Sequence, residues 1–189
     1  FSSSSFILKK SKKVKILFMG RMEKIKGIEE FIRSIFYLKE EVKRKIDIYI
    51  VGTGSLNDKV DYLIKSFYLS NLITRIKIIK HDEIKSFIKQ FDIYVSLNKA
   101  GYISNANIEC FYSGLCCIIP NKDEKIFRDI DLEKYFPNDC LLRLKNEKLV
   151  EDMTDKISKL VLNRKKIKKY FKNFKKKSLK IFKDWDFRI

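Results

Sequence analysis

The chain has 189 residues, of which 45% are hydrophobic and 13% aromatic. This apolar content is enough for the core of one folded domain, and it excludes a wholly disordered chain. Lysine and arginine total 42 against 24 aspartate and glutamate residues, which gives a formal net charge of +18. Such an excess suits phosphate groups, nucleic acid or an anionic membrane surface, without choosing among them.

The histidine and cysteine residues limit the chemistry that the chain can perform. His81 is the single histidine, which excludes a His-rich metal centre, and we interpret it as a surface loop residue. The four cysteines are not spaced as C-x-x-C, and the adjacent Cys116 and Cys117 lie in an apolar run typical of buried positions. This cysteine usage predicts that the protein is located in a reducing cytoplasm. The sequence contains no apolar run of membrane-spanning length and no signal-peptide pattern.

The predicted elements alternate between strand and helix along most of the chain. Residues 1–13 are rich in Ser and Lys and are predicted to form a linker before a folded domain over 14–163. Apolar runs and apolar periodicity predict strands over 14–19, 46–51, 76–79, 93–97 and 116–119, and helices over about 28–38, 55–69, 82–90 and 105–113. This order predicts an α/β fold with a Rossmann-like, doubly wound parallel sheet. Ligands of such sheets bind at the carboxyl ends of the strands.

The carboxyl-terminal region shows helical spacing of apolar residues from Ile157 to Trp185. Over residues 164–189 this pattern predicts a basic, amphipathic helix, with eleven Lys or Arg and no acidic residue between Arg164 and Lys183. The cationic face is either the solvated side of a helix that docks on the domain, or a contact for anionic lipid or another polyanion.

The first candidate motif runs from Gly20 to Gly27, between the first predicted strand and the first predicted helix. Arg21 and Lys26 flank a turn that leads into a helix N-terminus, where unpaired amides and the helix dipole favour an anion. The motif therefore predicts a site for a diphosphate. Its glycine spacing fits neither G-x-G-x-x-G nor the phosphate loop, and a chance pairing of cations with glycine in so basic a chain stays open.

Two further motifs also follow predicted strands. Gly52 and Gly54 either line a ligand cleft or form a plain strand-to-helix turn. In the segment from Gly101 to Glu109, Ser104 or Asn105 can cap a helix, with Glu109 about one turn further on. Its carboxylate can accept two hydrogen bonds from a ribose diol, although a partly buried helix acid is the alternative interpretation.

The order of the three motifs resembles the donor-binding, carboxyl-terminal domain of GT-B nucleotide-sugar glycosyltransferases, most closely the retaining family 4 (group 1). The resemblance covers about residues 14–187 and implies that Arg21 and Lys26 hold the donor diphosphate as catalytic residues, while Glu109 holds the ribose. It implies no metal or other cofactor, because side-chain cations and helix amides stabilise the leaving group. The remaining residues implied for the donor site are Gly20, Gly52, Gly54, Gly101, Ser104, Asn105 and Ala106.

The chain departs from the family pattern in two respects. Gly101 stands where the family usually has an acidic residue that contacts the donor sugar, although some members carry a Gly-x-x-Ser-Asn-x-x-x-Glu form of this segment. The amino-terminal domain that binds the acceptor in this fold is also missing. We therefore expect the chain to be part of a longer enzyme.

The predicted function is that of a hexosyltransferase-type glycosyltransferase that moves a sugar from a nucleotide diphosphate to a glycan or lipid acceptor, with retention. The alternatives are a non-catalytic glycosyltransferase-like partner subunit and a polyanion-binding module. Expected partners are the nucleotide-sugar donor, the acceptor, the missing amino-terminal domain and an anionic membrane surface, whereas nucleic acid is not expected. The predicted location is the cytoplasm, peripheral at the inner face of a membrane.

Overall fold

The computed structural model describes residues 12–99, 104–121 and 141–181. Within these ranges six strands form one parallel sheet in the order β3-β2-β1-β4-β5-β6. This topology confirms the predicted doubly wound α/β fold. The strands are β1 (Val14–Met19), β2 (Ile46–Val51), β3 (Ile73–Ile76), β4 (Ile93–Val95), β5 (Cys116–Pro120) and β6 (Leu141–Leu144).

The helices cover both faces of the sheet. They are α1 (Ile28–Phe36), α2 (Glu40–Lys43), α3 (Asn57–Ser66), α4 (His81–Ile88), α5 (Asn105–Tyr112), α6 (Leu149–Leu162) and α7 (Arg164–Ile181), with short 3₁₀ helices at Lys24–Lys26 and Asn146–Lys148. None of the described helices is both long and apolar enough to cross a membrane.

The core consists of two apolar layers, because side chains alternate between the two faces of each strand. Ile16 and Phe18 of β1 pack against the layer that includes α1, α3 and α6, whereas Leu17 faces the layer formed with α4 and α5. Burial on both faces explains why the strands are almost continuously apolar in sequence. Cys116 and Cys117 lie in opposite layers, and both are buried and free, as their apolar context predicts.

The predicted bounds of the third strand, residues 76–79, are wrong. The observed strand β3 is Ile73–Ile76, paired with Ile48–Val51 of β2, and residues 77–80 form the loop that leads into α4. The apolar run around Ile78 suggested a strand, yet Ile78 is 76% exposed while Ile73 and Ile76 are buried. Ile73 and Ile76 form the strand because they pair with β2. The position of the strand therefore depends on its neighbour in the sheet and not on local hydrophobicity.

The carboxyl-terminal region folds as two helices separated at Asn163. Helix α6 packs against α1, and α7 begins at Arg164, where the basic helix is predicted to start. Ile167 of α7 is buried in the core. The sequence analysis did not predict β6, which extends the sheet beside β5. Phe182 and Trp185, which complete the predicted apolar row, lie outside the described residues.

Asp92 closes the ladder between β1 and β4. Its backbone N donates to the Lys15 carbonyl at 3.0 Å, and its carboxylate Oδ2 accepts from the Lys15 backbone N at 2.9 Å. We expect Asp92→Ala to lower the free energy of unfolding by about 1–2 kcal/mol, because the Lys15 amide loses its acceptor. Asp92→Asn keeps an oxygen at this position and serves as the control in urea denaturation. Equal losses in both variants would show that the carboxylate charge matters rather than the acceptor.

Candidate functional site

A cavity of about 450 Å³ lies at the carboxyl ends of β1 and β4. These two strands are neighbours in the sheet, and the strand order reverses between them, which is where doubly wound sheets bind ligands. The motif after β1, the end of β4 and the start of α5 meet in this cavity. It is lined by Met19, Gly20, Arg21, Lys26, Ser96, Asn98, Ser104, Asn105 and Ala106.

Two cations lie in the wall of this cavity. Lys26 ends the 3₁₀ helix after β1, and its Nζ donates to Oδ1 of Asn98 at 3.0 Å. Partial burial lowers the pKa of Lys26, and the nearby positive charge of Arg21 lowers it further. The ammonium and guanidinium groups therefore repel each other in a partly desolvated place. An anion between them would relieve both the repulsion and the loss of water.

The amino terminus of α5 faces the same cavity. Ser104 caps the helix, because its Oγ accepts from the backbone N of Asn107 at 3.3 Å. The buried Tyr94 of β4 donates its hydroxyl to Oδ1 of Asn107 at 2.7 Å, which ties the first turn of α5 to the sheet. The first-turn amides of α5 thus add partial positive charge beside Arg21 and Lys26.

Glu109 lies one turn further along α5 and lines a second cavity of about 370 Å³. This cavity lies between α4 and α5, and its other wall includes His81, Asp82 and Lys85 of α4. Burial raises the pKa of Glu109, an effect that His81 partly offsets. His81 is exposed, as predicted, but it is the first residue of α4 and not part of a loop. A half-buried carboxylate in this position is suited to accept hydrogen bonds from a ligand.

The two glycines after β2 hold the loop after β1 in place. Gly52 has a φ of +124°, and a Cβ added to it would lie 2.0 Å from the Gly20 carbonyl oxygen. A Cβ added to Gly54 would lie 2.6 Å from the Met22 carbonyl oxygen. The loops also exchange backbone hydrogen bonds, from Met22 N to Thr53 O at 3.1 Å and from Leu56 N to Met22 O at 2.9 Å. Only glycine permits this approach of backbone to backbone.

Side chains reinforce the same junction. Ser55 Oγ donates to Glu23 Oε2 at 2.9 Å, which links the two loops. Arg75 of β3 reaches beneath the second loop, donating to Asn57 Oδ1 and Asp61 Oδ1 at 3.3 Å each. The loop that carries Arg21 and Lys26 is therefore held in place by the loop after β2, residues 52–55, which we call the platform.

The structure brings six predicted site residues to the first cavity: Gly20, Arg21, Lys26, Ser104, Asn105 and Ala106. Glu109 lines the second cavity, and Gly52 and Gly54 belong to the platform beneath the first loop. Gly101 lies outside the described residues. In the part of the chain that the structure describes, no cluster of three or more His, Cys, Asp or Glu side chains could hold a metal ion.

Sequence reasoning missed Asn98, which contacts Lys26, and Arg75, which supports the platform. Asn98 could have been found, because it is a polar residue directly after an apolar strand and so belongs at the ligand edge. Arg75 lies inside a strand, and nothing in its local pattern indicates that it contacts the loop after β2.

Fold and site together define a Rossmann-like domain with a cavity, lined by two cations, at the point where the strand order reverses. The family described as Glycosyl transferases group 1 matches residues 2–177 of the chain. The chain therefore belongs to this glycosyltransferase family.

The uncharacterized glycosyltransferase MJ1069 of Methanocaldococcus jannaschii is 30% identical over 106 residues, which cover 56% of this chain and 26% of that protein. The chain thus spans about a quarter of the length of this curated relative. The carboxyl-terminal domain of the group 1 protein LpcC from Francisella tularensis has a TM-score of 0.73 at 20% identity, covering 89% of this chain and 85% of that chain.

Anabaena Alr3699/HepE, solved with UDP and glucose, has a TM-score of 0.72 at 10% identity, covering 89% of this chain and 44% of that chain. At these identities the similarity shows the fold, which is the Rossmann-like fold of GT-B glycosyltransferases.

Gly52 and Gly20 form a matched pair for testing the platform. An added Cβ at Gly20 meets no atom within 4 Å, whereas at Gly52 it meets the Gly20 carbonyl in a backbone conformation that disfavours other residues. We expect Gly52→Ala to reduce the free energy of unfolding by about 2–4 kcal/mol and Gly20→Ala to change it by less than about 0.5 kcal/mol. Chemical denaturation measures both values. Similar small effects in the two variants would mean that the loops do not depend on this close approach.

Proposed function

We propose that this chain is the donor-binding part of a glycosyltransferase that takes a sugar from a nucleoside diphosphate and transfers it to a glycan or lipid acceptor. The observation that carries the proposal is the meeting of Arg21, Lys26 and the first turn of α5 in one cavity at the crossover point of the sheet. Membership of the group 1 glycosyltransferase family supports it.

The diphosphate of the donor would lie between the two cations. Its negative charge would offset the burial and the repulsion by Arg21 that lower the pKa of Lys26, and Asn98 would hold the ammonium group in place. The amides of α5 and the guanidinium of Arg21 can donate hydrogen bonds to the phosphate oxygens. Asn98 holds Lys26, and the Ser104 cap holds the first turn of α5, before the ligand arrives, so these donors need little reorganisation.

Sugar transfer breaks the bond between the anomeric carbon and the diphosphate oxygen. The oxygen of an acceptor hydroxyl group forms the new bond to that carbon, and its proton passes to the departing diphosphate. The electron pair of the broken bond leaves on the diphosphate, so negative charge grows there in the transition state. Arg21 and Lys26 stabilise this charge, and a well-placed donor of this kind contributes about 3 kcal/mol. We infer retention of the anomeric configuration from the resemblance to the retaining family, and no metal is required in this scheme.

Glu109 would receive the nucleoside. Ala106 of the first cavity and Glu109 of the second are three residues apart on α5, so they lie on one side of that helix. A ligand with its diphosphate at the first turn can therefore place its ribose at the second. Two ribose hydroxyl groups donating to the Glu109 carboxylate would compensate for the burial that raises its pKa.

The acceptor would bind to a further domain of the longer protein. The chain spans 26% of the curated relative, which leaves room for a second domain facing the carboxyl edge of the sheet. We propose the cytoplasm as the location, supported by the buried, free thiols of Cys110, Cys116 and Cys117.

Replacement of the cations tests the diphosphate site. We expect Arg21→Ala and Lys26→Ala each to weaken binding of a nucleoside diphosphate by about 1.5–3 kcal/mol, the range for hydrogen bonds to charged groups. Isothermal titration calorimetry with uridine, guanosine and adenosine diphosphates gives the affinities. Lys24→Ala is the matched control, because Lys24 is exposed in the same loop and does not line the cavity. Equal affinity in wild type and both test variants would refute the phosphate assignment.

Glu109→Gln tests the ribose contact. The substitution keeps the size of the side chain but replaces one accepting oxygen by a donor, so we expect weaker binding of the nucleoside diphosphate and little change for inorganic diphosphate. Calorimetry with the two ligands on wild type and variant measures this difference. If both ligands lose affinity alike, Glu109 serves the structure of α5 instead of the nucleoside.

A further inference from the structure

A second surface of interest lies at the opposite edge of the sheet from the cavity that contains Arg21 and Lys26, which we call the donor cavity. The helices α1, α3 and α6 run antiparallel to the strands, so their carboxyl ends reach the edge where the strands begin. Helix α7 starts at the same edge, because the Arg164 guanidinium contacts the carbonyl of Lys12, two residues before β1. We call this region the amino-edge surface: Phe36, Tyr37, Tyr68, Leu162 and the six Lys and Arg residues of α7 between positions 164 and 172.

The amino-edge surface exposes apolar and aromatic side chains at the helix ends. Tyr37, Tyr68 and Leu162 are 62%, 93% and 52% exposed. They belong to one continuous area: Phe36 stacks on Phe67 with ring centroids 4.4 Å apart, and Tyr37 contacts Phe36 edge-on at 5.3 Å. Tyr37 and Leu162 line opposite sides of one groove between the α1–α2 connection and α6.

Cations dominate the neighbouring part of this surface. The six Lys and Arg residues of α7 within 164–172 are all exposed, and the sequence has no acidic residue from 164 to 183. Three acidic residues line the groove beside Leu162, and two of them have cationic partners, since Glu41 pairs with Lys45 and Asp155 with Lys159; Glu151 is the third. Among the described residues of this surface, the six exposed cations of α7 therefore outnumber the acidic residues of the groove. Ile167 on its other side is buried, so α7 is docked on the domain with its cations outward.

The donor cavity does not account for this charge. Strand β1 has six residues, so its two ends lie about 20 Å apart; Arg164 contacts Lys12 before the amino end, and Arg21 and Lys26 follow the carboxyl end, so the cations at the start of α7 lie far from that pair. At that distance, about two Debye lengths at physiological salt, they contribute little to holding a diphosphate.

We propose that the amino-edge surface binds an anionic membrane. Cationic residues attract anionic headgroups, while exposed Tyr and Leu side chains enter the boundary between headgroups and acyl chains. This combination fits a lipid surface better than a nucleic acid, because the exposed Tyr37 and Tyr68 lie at the ends of other helices, whereas Tyr170, which follows two cations of α7, packs against the core and does not offer its ring to bases. Docked in this way, the protein keeps its donor cavity turned away from the membrane.

The electrostatic part is tested by vesicle flotation of the 189-residue chain. We expect binding to vesicles of phosphatidylcholine with phosphatidylglycerol and no binding to phosphatidylcholine alone, and a loss of about tenfold or more in partitioning for Lys165→Gln/Lys166→Gln/Lys169→Gln. The control is Lys24→Gln/Lys77→Gln/Lys80→Gln, which removes three exposed cations at the carboxyl edge and should bind like wild type. Equal losses in the two variants would mean that net charge alone drives binding, and would overturn the proposal.

The apolar part needs a second pair of variants. We expect Tyr37→Ser/Leu162→Ser to reduce the binding that survives at high salt, and Tyr62→Ser/Ile78→Ser, with exposed side chains elsewhere, to leave it unchanged. Retention on duplex DNA without any vesicle binding would overturn the proposal in favour of nucleic acid. Nucleoside diphosphate affinity should be the same in all four variants, so failure of membrane binding is distinguishable from failure of the donor site.

Discussion

Direct packing of backbone on backbone at the carboxyl edge is the constraint on which the candidate site depends. Gly52 and Gly54 let the loop after β2 touch the carbonyls of Gly20 and Met22, and hydrogen bonds between the two loops fix their separation. A third glycine, Gly27, packs against Leu97, two residues after β4, with no room for a Cβ. These contacts hold the segment between Gly20 and Gly27 on both sides, and so determine where its two cations lie.

The electrostatics of the site follow from that rigid frame. A flexible loop would let Arg21 and Lys26 separate and remain fully hydrated, which removes their repulsion. The platform instead keeps Lys26 partly buried beside Arg21, with Asn98 fixing its ammonium group. The capped terminus of α5, anchored through Tyr94 and Asn107, adds further partial positive charge. Holding two positive charges together in a partly buried place costs free energy when no anion is present. An anion that neutralises them removes this cost and so binds more favourably.

The alternation of parallel strands and antiparallel helices separates the molecule into two edges with different chemistry. Strand ends and helix starts meet at the carboxyl edge, where loops carry glycine, cations and free amides. Helix ends and strand starts meet at the amino edge, where Tyr37 and Tyr68 are exposed and the basic helix α7 begins. Because the six-residue strand β1 separates the two edges by about 20 Å, they can bind different partners without interfering.

The sequence by itself determined the fold class and most of the candidate site. Buried strands and amphipathic helices have local periodicities, and motifs that follow strands must lie at the ligand edge, so Arg21, Lys26 and Ser104 were predicted together. The register of β3, the strand β6 and the roles of Arg75 and Asn98 came only from the tertiary structure. Asn98 is 72 residues from Lys26 in the chain, and Glu109 shares its cavity with His81 from a different crossover. Strand order and pairing decide which distant residues become neighbours, and no local pattern records that choice.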